Sequence, residues 1–283
     1  LGFSYGNLGD HQQAAAALHK AVELKPSLAS VWANLGGSYA SLGNFQKATD
    51  ALHKAVELDP SLVLAWANLG RAYGELGDYQ QAVEASQKAV ELEPDLALAW
   101  ANLGWSYTSL DNFQQAAAAL QKAVELEPGL TPAWANLGGS YAALGNFQQA
   151  VEAYQKAVEL EPGLTPAWAN LGGSYALLGN FQQAVEAYQK AVELEPGLTP
   201  AWANLGRACA ELGNFQQAVE AYRKAVELEP GLTPAWANLG RAYGELGNHE
   251  RAIEIYRKVL SITDDPDLTR LAQDGLKSLQ AGV

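Results

Sequence analysis

The sequence repeats itself every 34 residues. Residues Thr165–Leu198 read TPAWANLGGSYALLGNFQQAVEAYQKAVELEPGL. The copy before, Thr131–Leu164, differs at one position (Ala143 against Leu177), and the copy after, Thr199–Leu232, at five. Prolines hold the phase at Pro26, Pro60, Pro94, Pro128, Pro162, Pro196 and Pro230. A fixed period of this length marks a stacked array of one supersecondary unit. Each unit packs only on its neighbours, so the array escapes the size limit of a single core. One elongated domain is expected. The copies are most alike in the middle and drift towards both ends, the pattern that recent duplication leaves.

One unit holds two helical patterns. Trp168, Leu171, Gly172 and Tyr175 fall at i, i+3, i+4, i+7, an apolar stripe at helical spacing. Thr165 is placed to cap this first helix, with Pro166 at its first position, where a missing N–H costs nothing. Gly179 ends it by taking the left-handed conformation. Asn180 then caps a second helix, whose buried side is expected to be Phe181, Ala184, Val185, Tyr188, Ala191, Val192 and Leu194. Gly172 sits in mid-helix, where glycine costs about 1 kcal/mol against alanine. Close approach of the two helices is its expected return. Seven of the eight tryptophans share one repeat position (Trp32, Trp66, Trp100, Trp134, Trp168, Trp202, Trp236) and are read as core. Only Trp105 falls outside that explanation.

This spacing resembles the tetratricopeptide repeat (TPR) family. Its pattern of Trp, Leu-Gly, Tyr, Ala, aromatic or Leu, Ala, Pro is met by Trp168, Leu171, Gly172, Tyr175, Ala184, Tyr188, Ala191 and Pro196, and the resemblance covers essentially the whole chain. It implies an all-α fold, a right-handed superhelical solenoid of antiparallel helix pairs. First helices would line a concave groove and second helices the convex outside.

In chain order, residues 1–28 form a truncated repeat, with Leu1, Gly2 and Tyr5 matching the second half of a first helix. Seven tandem repeats follow at 29–62, 63–96, 97–130, 131–164, 165–198, 199–232 and 233–266. Residues 267–283 break the pattern. Leu268, Leu271, Leu276 and Leu279 make an apolar stripe backed by polar residues, and Asp265-Pro266 supplies a helix start. A capping helix is expected, as terminal positions of an array require. The sequence contains no methionine and Leu1 falls inside a repeat, so a fragment of a longer protein is expected.

The formal net charge is −13, which speaks against nucleic acid, since phosphates must be met by Lys and Arg, and against anionic membrane surfaces. No run approaches the roughly 18 apolar residues of a membrane span. A cytoplasmic location is expected. The single cysteine excludes an internal disulfide framework. Cys209 replaces the tyrosine of its repeat and is read as buried and inert, in a locally underfilled core. His11 and His249 replace an aromatic and are read as packing. His19 and His53 share an outer position, but two histidines are a weak metal signal. No catalytic set, metal site or cofactor loop stands out. The glutamates late in the second helices are read as a solvated rim, with Glu152 and Glu186 pairing to Lys156 and Lys190 at i,i+4.

The candidate site lies on the first helices. Asn34, Asn68, Asn102, Asn136, Asn170, Asn204 and Asn238 form a ladder on the face that the family turns to its groove. An amide donates and accepts together, so a row of them can grip the backbone of an extended peptide. This resembles the ladder in the repeat arm of O-linked N-acetylglucosamine transferases. The alternative is an amide bond to the neighbouring repeat. Three residues after each asparagine come Gly37, Arg71, Trp105, Gly139, Gly173, Arg207 and Arg241. The arginines each have a glutamate four residues on (Glu75, Glu211, Glu245), so local pairing competes with binding. Trp105 is either a binding anchor or a cover for a neighbouring repeat. The lysine-rich carboxylate clamp of chaperone-binding relatives is not matched.

Together these features lead to a non-catalytic protein-protein interaction scaffold that holds an extended peptide in its groove. Two other readings stay open: a substrate-recruiting or sensor arm of a larger enzyme (a glycosyltransferase or a signalling ATPase), and self-association through the truncated N-terminal repeat.

Overall fold

The computed structural model describes residues 10–281. Leu1, Gly2 and Tyr5, and the stacking face they were expected to expose, lie outside the described residues. The chain divides into two compact units, residues 1–145 and 146–283, where one domain was expected.

The described residues of the first unit form α1 (His11–Leu24), α2 (Ala29–Ser41), α3 (Phe45–Leu58), α4 (Val63–Leu76), α5 (Tyr79–Leu92), α6 (Ala97–Ser109), α7 (Phe113–Leu126) and α8 (Thr131–Ala143). Those of the second form α9 (Phe147–Leu160), α10 (Thr165–Leu177), α11 (Phe181–Leu194), α12 (Thr199–Glu211), α13 (Phe215–Leu228), α14 (Thr233–Glu245), α15 (His249–Ile262) and α16 (Pro266–Ala281). All described secondary structure is helical. Each helix packs on the next within its unit. First helices also touch the first helices of adjacent repeats, and second helices make no comparable contact with one another. Each stack is therefore tighter on its first-helix side, which becomes the inner face.

The repeat glycine works as expected. A Cβ on Gly172 would lie 2.9 Å from ring carbons of Tyr188, one on Gly206 2.8 Å from Tyr222, and one on Gly36 2.5 Å from Leu52. The pairing of helices within a repeat thus depends on a missing methyl group. Alanines fill the rest of the seam: Ala184 and Ala191 are wholly buried. Leu194 departs from the expected buried side and is 44% exposed.

Helix ends shift slightly from the sequence reading. Leu164 precedes α10, Thr165 and Pro166 are its first two residues, and no side chain caps it. The Thr165 N–H instead bonds the Gly163 carbonyl at 2.9 Å. Gly179 takes φ +77° as expected, and its counterpart in the repeat 97–130 is Asp111 at φ 58°. Aspartate tolerates that region better than most side chains. Asn180 precedes α11 but makes no side-chain cap bond, whereas Asp10, Asn44 and Asn248 do cap their helices.

The tryptophans are more than core. All seven of the shared position are half-buried. Each indole N–H donates to the carbonyl of the proline six residues before it, from Trp32 to Pro26 at 2.8 Å through Trp236 to Pro230 at 2.9 Å. The bond fixes the loop that joins one repeat to the next, which explains why Trp and Pro recur together.

Candidate functional site

The asparagine ladder is not uniform. In the first unit, Asn34 donates to the Ser30 carbonyl of its own helix at 2.6 Å. Asn102 is buried and donates to the Ala67 carbonyl of the neighbouring first helix at 2.9 Å. In the second unit, the exposed Asn170 amide hydrogen-bonds the Tyr154 hydroxyl. Asn68, Asn136, Asn204 and Asn238 are half-buried and make no side-chain hydrogen bond among the described residues. The inward bond that competes with ligand binding is therefore made at Asn102, and four other rungs stay uncommitted.

The position three residues on is equally mixed. Trp105 lays its ring over the neighbouring first helix: a Cβ on Gly74 would come within 2.1 Å of it. Tyr79 meets the same ring edge-on, with centroids 6.3 Å apart. Arg207 and Arg241 are exposed and Arg71 is half-buried. None of the three forms the expected ion pair with its glutamate at i+4 among the described residues. Arg207 reaches back to the Tyr188 hydroxyl instead, and the charge of Arg241 is felt by Tyr222 and Tyr256. Gly139 and Gly173 leave the inner face bare beside them.

Outside this face, a second network recurs. The repeat tyrosine bonds a residue twenty positions earlier: Tyr73 with His53, Tyr107 with Gln87 at 2.7 Å and Tyr175 with Gln155 at 2.7 Å. His53 is thus a hydrogen-bond partner, and His19 lies 3.3 Å from Glu23. His249 is exposed where packing was expected. The lysines pair forwards, Lys156 with Glu159 and Lys190 with Glu193, each at 2.7 Å. Glu152 and Glu186 accept instead from Gln148 and Gln182. The described residues hold no group of three or more His, Cys, Asp or Glu that could bind a metal ion, and no helix long and apolar enough to cross a membrane.

Burial pushes the hydroxyls of Tyr154 and Tyr222 up to about 12, and the Cys209 thiol, 1% exposed, up to about 11. These groups stay protonated in the fold but ionise at ordinary values of 10.0 and 9.0 once exposed. Their contribution to stability is complete below those values and is lost as pH rises through the folded ones. Urea midpoints are expected to hold steady at neutral pH and to fall between pH about 9 and about 12. Cys209→Ala should remove the lower part of that fall. A midpoint flat to the top of the range would contradict the burial of these groups.

The helix pairs of each unit form an all-α repeat stack. Comparison with known families makes the class specific. Models described as tetratricopeptide repeats match residues 1–28, 27–92, 68–131 and 210–274. A model of the C-terminal domain of cilia and flagella-associated protein 70 matches residues 132–240. The crystal structure of MamA is 32% identical over 57% of this chain and 95% of its own, with a TM-score of 0.53. That of YrrB, described as a TPR protein with an unusual peptide-binding site, is 29% identical over 66% and 97%, with a TM-score of 0.57. Cut9 in the APC/C hetero-tetramer Cut9–Hcn1, at 22% identity and a TM-score of 0.54, shares the fold over 95% of this chain and 52% of its own. Comparison with curated protein sequences gives no match. The chain belongs to the tetratricopeptide repeat family, and it is a protein-interaction scaffold.

Proposed function

We propose that the first-helix face of each unit holds an extended segment of a partner protein, gripped through its backbone by the uncommitted asparagines. The observation that carries this is the set of half-buried amides at Asn68 and Asn136 in the first unit and Asn204 and Asn238 in the second, which no neighbouring group consumes. These amides keep a donor and an acceptor free of protein partners, and a peptide backbone supplies the acceptor and the donor that match them. Arg71, Arg207 and Arg241 stand beside these rungs and are free of carboxylate partners among the described residues, so they add a preference for acidic or carbonyl-rich segments. The likeness to YrrB, a TPR protein with an unusual peptide-binding site, supports the reading. Trp105 enters it as a wall of the face whose ring already covers Gly74.

The test is selection of peptides from a random displayed library on the immobilised chain, followed by affinity measurement on two variants. Asn68→Ala/Asn136→Ala and Asn204→Ala/Asn238→Ala should each keep the helical circular dichroism signal. Each lost backbone contact is worth about 1 kcal/mol, so one of the two variants should bind its selected peptides about tenfold or more weakly. Peptides that bind both variants as tightly as the parent chain would sink the proposal.

A further inference from the structure

The second unit carries another surface, on the side away from the first-helix face. A cavity of about 290 Å³ opens between α9 and α11, over the face of α10 that carries Trp168 and Tyr175. Its floor is Trp168, Leu171 and Tyr175, and its rim carries Glu159 and Glu186 with no lysine or arginine among the lining residues. Gln155 closes one wall by donating to the Tyr175 hydroxyl at 2.7 Å. At this volume the cavity suits one side chain rather than a drug-sized ligand. The Trp168 N–H is already committed to the Pro162 carbonyl at 2.9 Å, so the indole offers its π-system and not its donor.

The equivalent cavity in the last repeat shows what distinguishes this one. It is about 170 Å³, floored by Trp236, Leu239 and Tyr243. There Arg223 and Arg251 line the cavity together with Glu227 and Glu254, Arg223 lying 3.7 Å from Glu227, so its rim is neutral. Its tryptophan already carries a cation from outside the cavity lining: the Lys258 ammonium lies 3.6 Å from the Trp236 ring centroid. The sequence explains the difference. In the other described repeats the lysine at this position is followed three residues later by glutamate, and Lys190 is held by Glu193 at 2.7 Å. In the last repeat that glutamate is Ser261, so Lys258 is released onto the ring. The fold therefore contains its own example of a lysine seated on the repeat tryptophan.

We propose that the Trp168 cavity is a docking site for lysine or arginine side chains of a basic partner segment. The aliphatic stem packs on Leu171 and Tyr175, the cation meets the indole, and Glu159 and Glu186 take its charge. Glu159 carries an exposed ion pair with Lys156 at 2.7 Å, and Glu186 accepts from Gln182 at 3.1 Å. Exposed pairs of this kind are worth little, and a carboxylate has acceptor positions to spare. The net charge of −13 draws a basic partner from a distance.

The experiment is an NMR titration of the indole N–H resonances of the whole chain with a tetralysine peptide blocked at both ends. Trp168 is assigned by its loss in Trp168→Phe. Its resonance should move saturably with the peptide, less so at raised salt, and should not move with a blocked tetraglutamate peptide. The Trp236 resonance should stay in place. Glu159→Gln/Glu186→Gln should weaken the Trp168 response about tenfold, with unchanged circular dichroism because both carboxylates are exposed. Equal movement of Trp168 and Trp236, or an undiminished response in the double variant, would overturn the assignment.

Discussion

Gly172→Val is expected to destabilise the second unit by about 3 kcal/mol, while Gly173→Ala, one residue on, stabilises it by about 1 kcal/mol. The two glycines are neighbours on one helix and face different surroundings. A side chain on Gly172 starts 2.9 Å from two ring carbons of Tyr188, and that ring is only 2% exposed, with no free space to swing into. Valine adds two further methyl groups to a contact that cannot accept one. At Gly173 the nearest atom to an added Cβ is the Tyr188 hydroxyl at 3.6 Å, an ordinary contact. There the alanine gains only the helix propensity that glycine forgoes. Urea unfolding of the two single variants checks the sign of each. Adding Tyr188→Ala to Gly172→Val tests the cause, since the ring and the valine compete for one space. The double variant should lose at least 1 kcal/mol less than the sum of the singles. Additive losses, or two glycine variants shifted in the same direction, would show that the seam is not set by this contact.

Much of the fold was legible because the repeat multiplies weak signals. One Trp-x-x-Leu-Gly stretch could serve many structures, but seven copies in phase leave one. Gly172 was read correctly because its cost has a single common remedy, close approach of two helices. Residue roles that depend on a neighbour two helices away were less legible. Asparagines in the same Ala-Trp-Ala-Asn-Leu-Gly stretch differ in role: Asn102 is buried on the Ala67 carbonyl and Asn136 is not committed. The repeats diverge three residues on, where Trp105 lies over Gly74 of the neighbouring first helix and the counterpart beside Asn136 is Gly139. The ion pairs failed for a related reason. Sequence spacing allows Glu152 to reach Lys156 as readily as Lys156 reaches Glu159, and only side-chain direction on the helix decides. The indole bonds to the prolines could have been found from the sequence. Trp and Pro keep a constant spacing of six residues across the loop, a regularity that a purely apolar role for tryptophan does not require.

Ending the chain after Asp264 is expected to loosen α14 and α15 selectively and to leave α10 and α11 as they were. α16 packs on both helices of the last repeat. Its own Ala272 is wholly buried, and the apolar stripe read from the sequence, Leu268, Leu271, Leu276 and Leu279, is half-buried. Gly275 lets the helix close on Tyr256, where an added Cβ would come within 2.5 Å of the ring. Asp265 starts the helix by accepting from the N–H groups of Asp267 and Leu268 at 2.8 and 3.1 Å. Removing this layer returns several apolar side chains to water at about 1.5 kcal/mol or more each, a local loss on the order of 5 kcal/mol. Repeats lean only on their neighbours, so the loss should fade within one or two helix pairs. Hydrogen exchange reads it directly: amides of α14 and α15 should exchange about a thousandfold faster or more, and those of α10 and α11 at the parental rate. The exposed face of Tyr256 should also make the shortened chain associate as its concentration rises. Gly275→Leu keeps the chain at full length and drives a side chain into the same ring, so it should give the same local pattern. Uniformly faster exchange in every helix of the second unit would mean that the stack unfolds as one body, and no change at all would mean that α16 is not holding the last repeat.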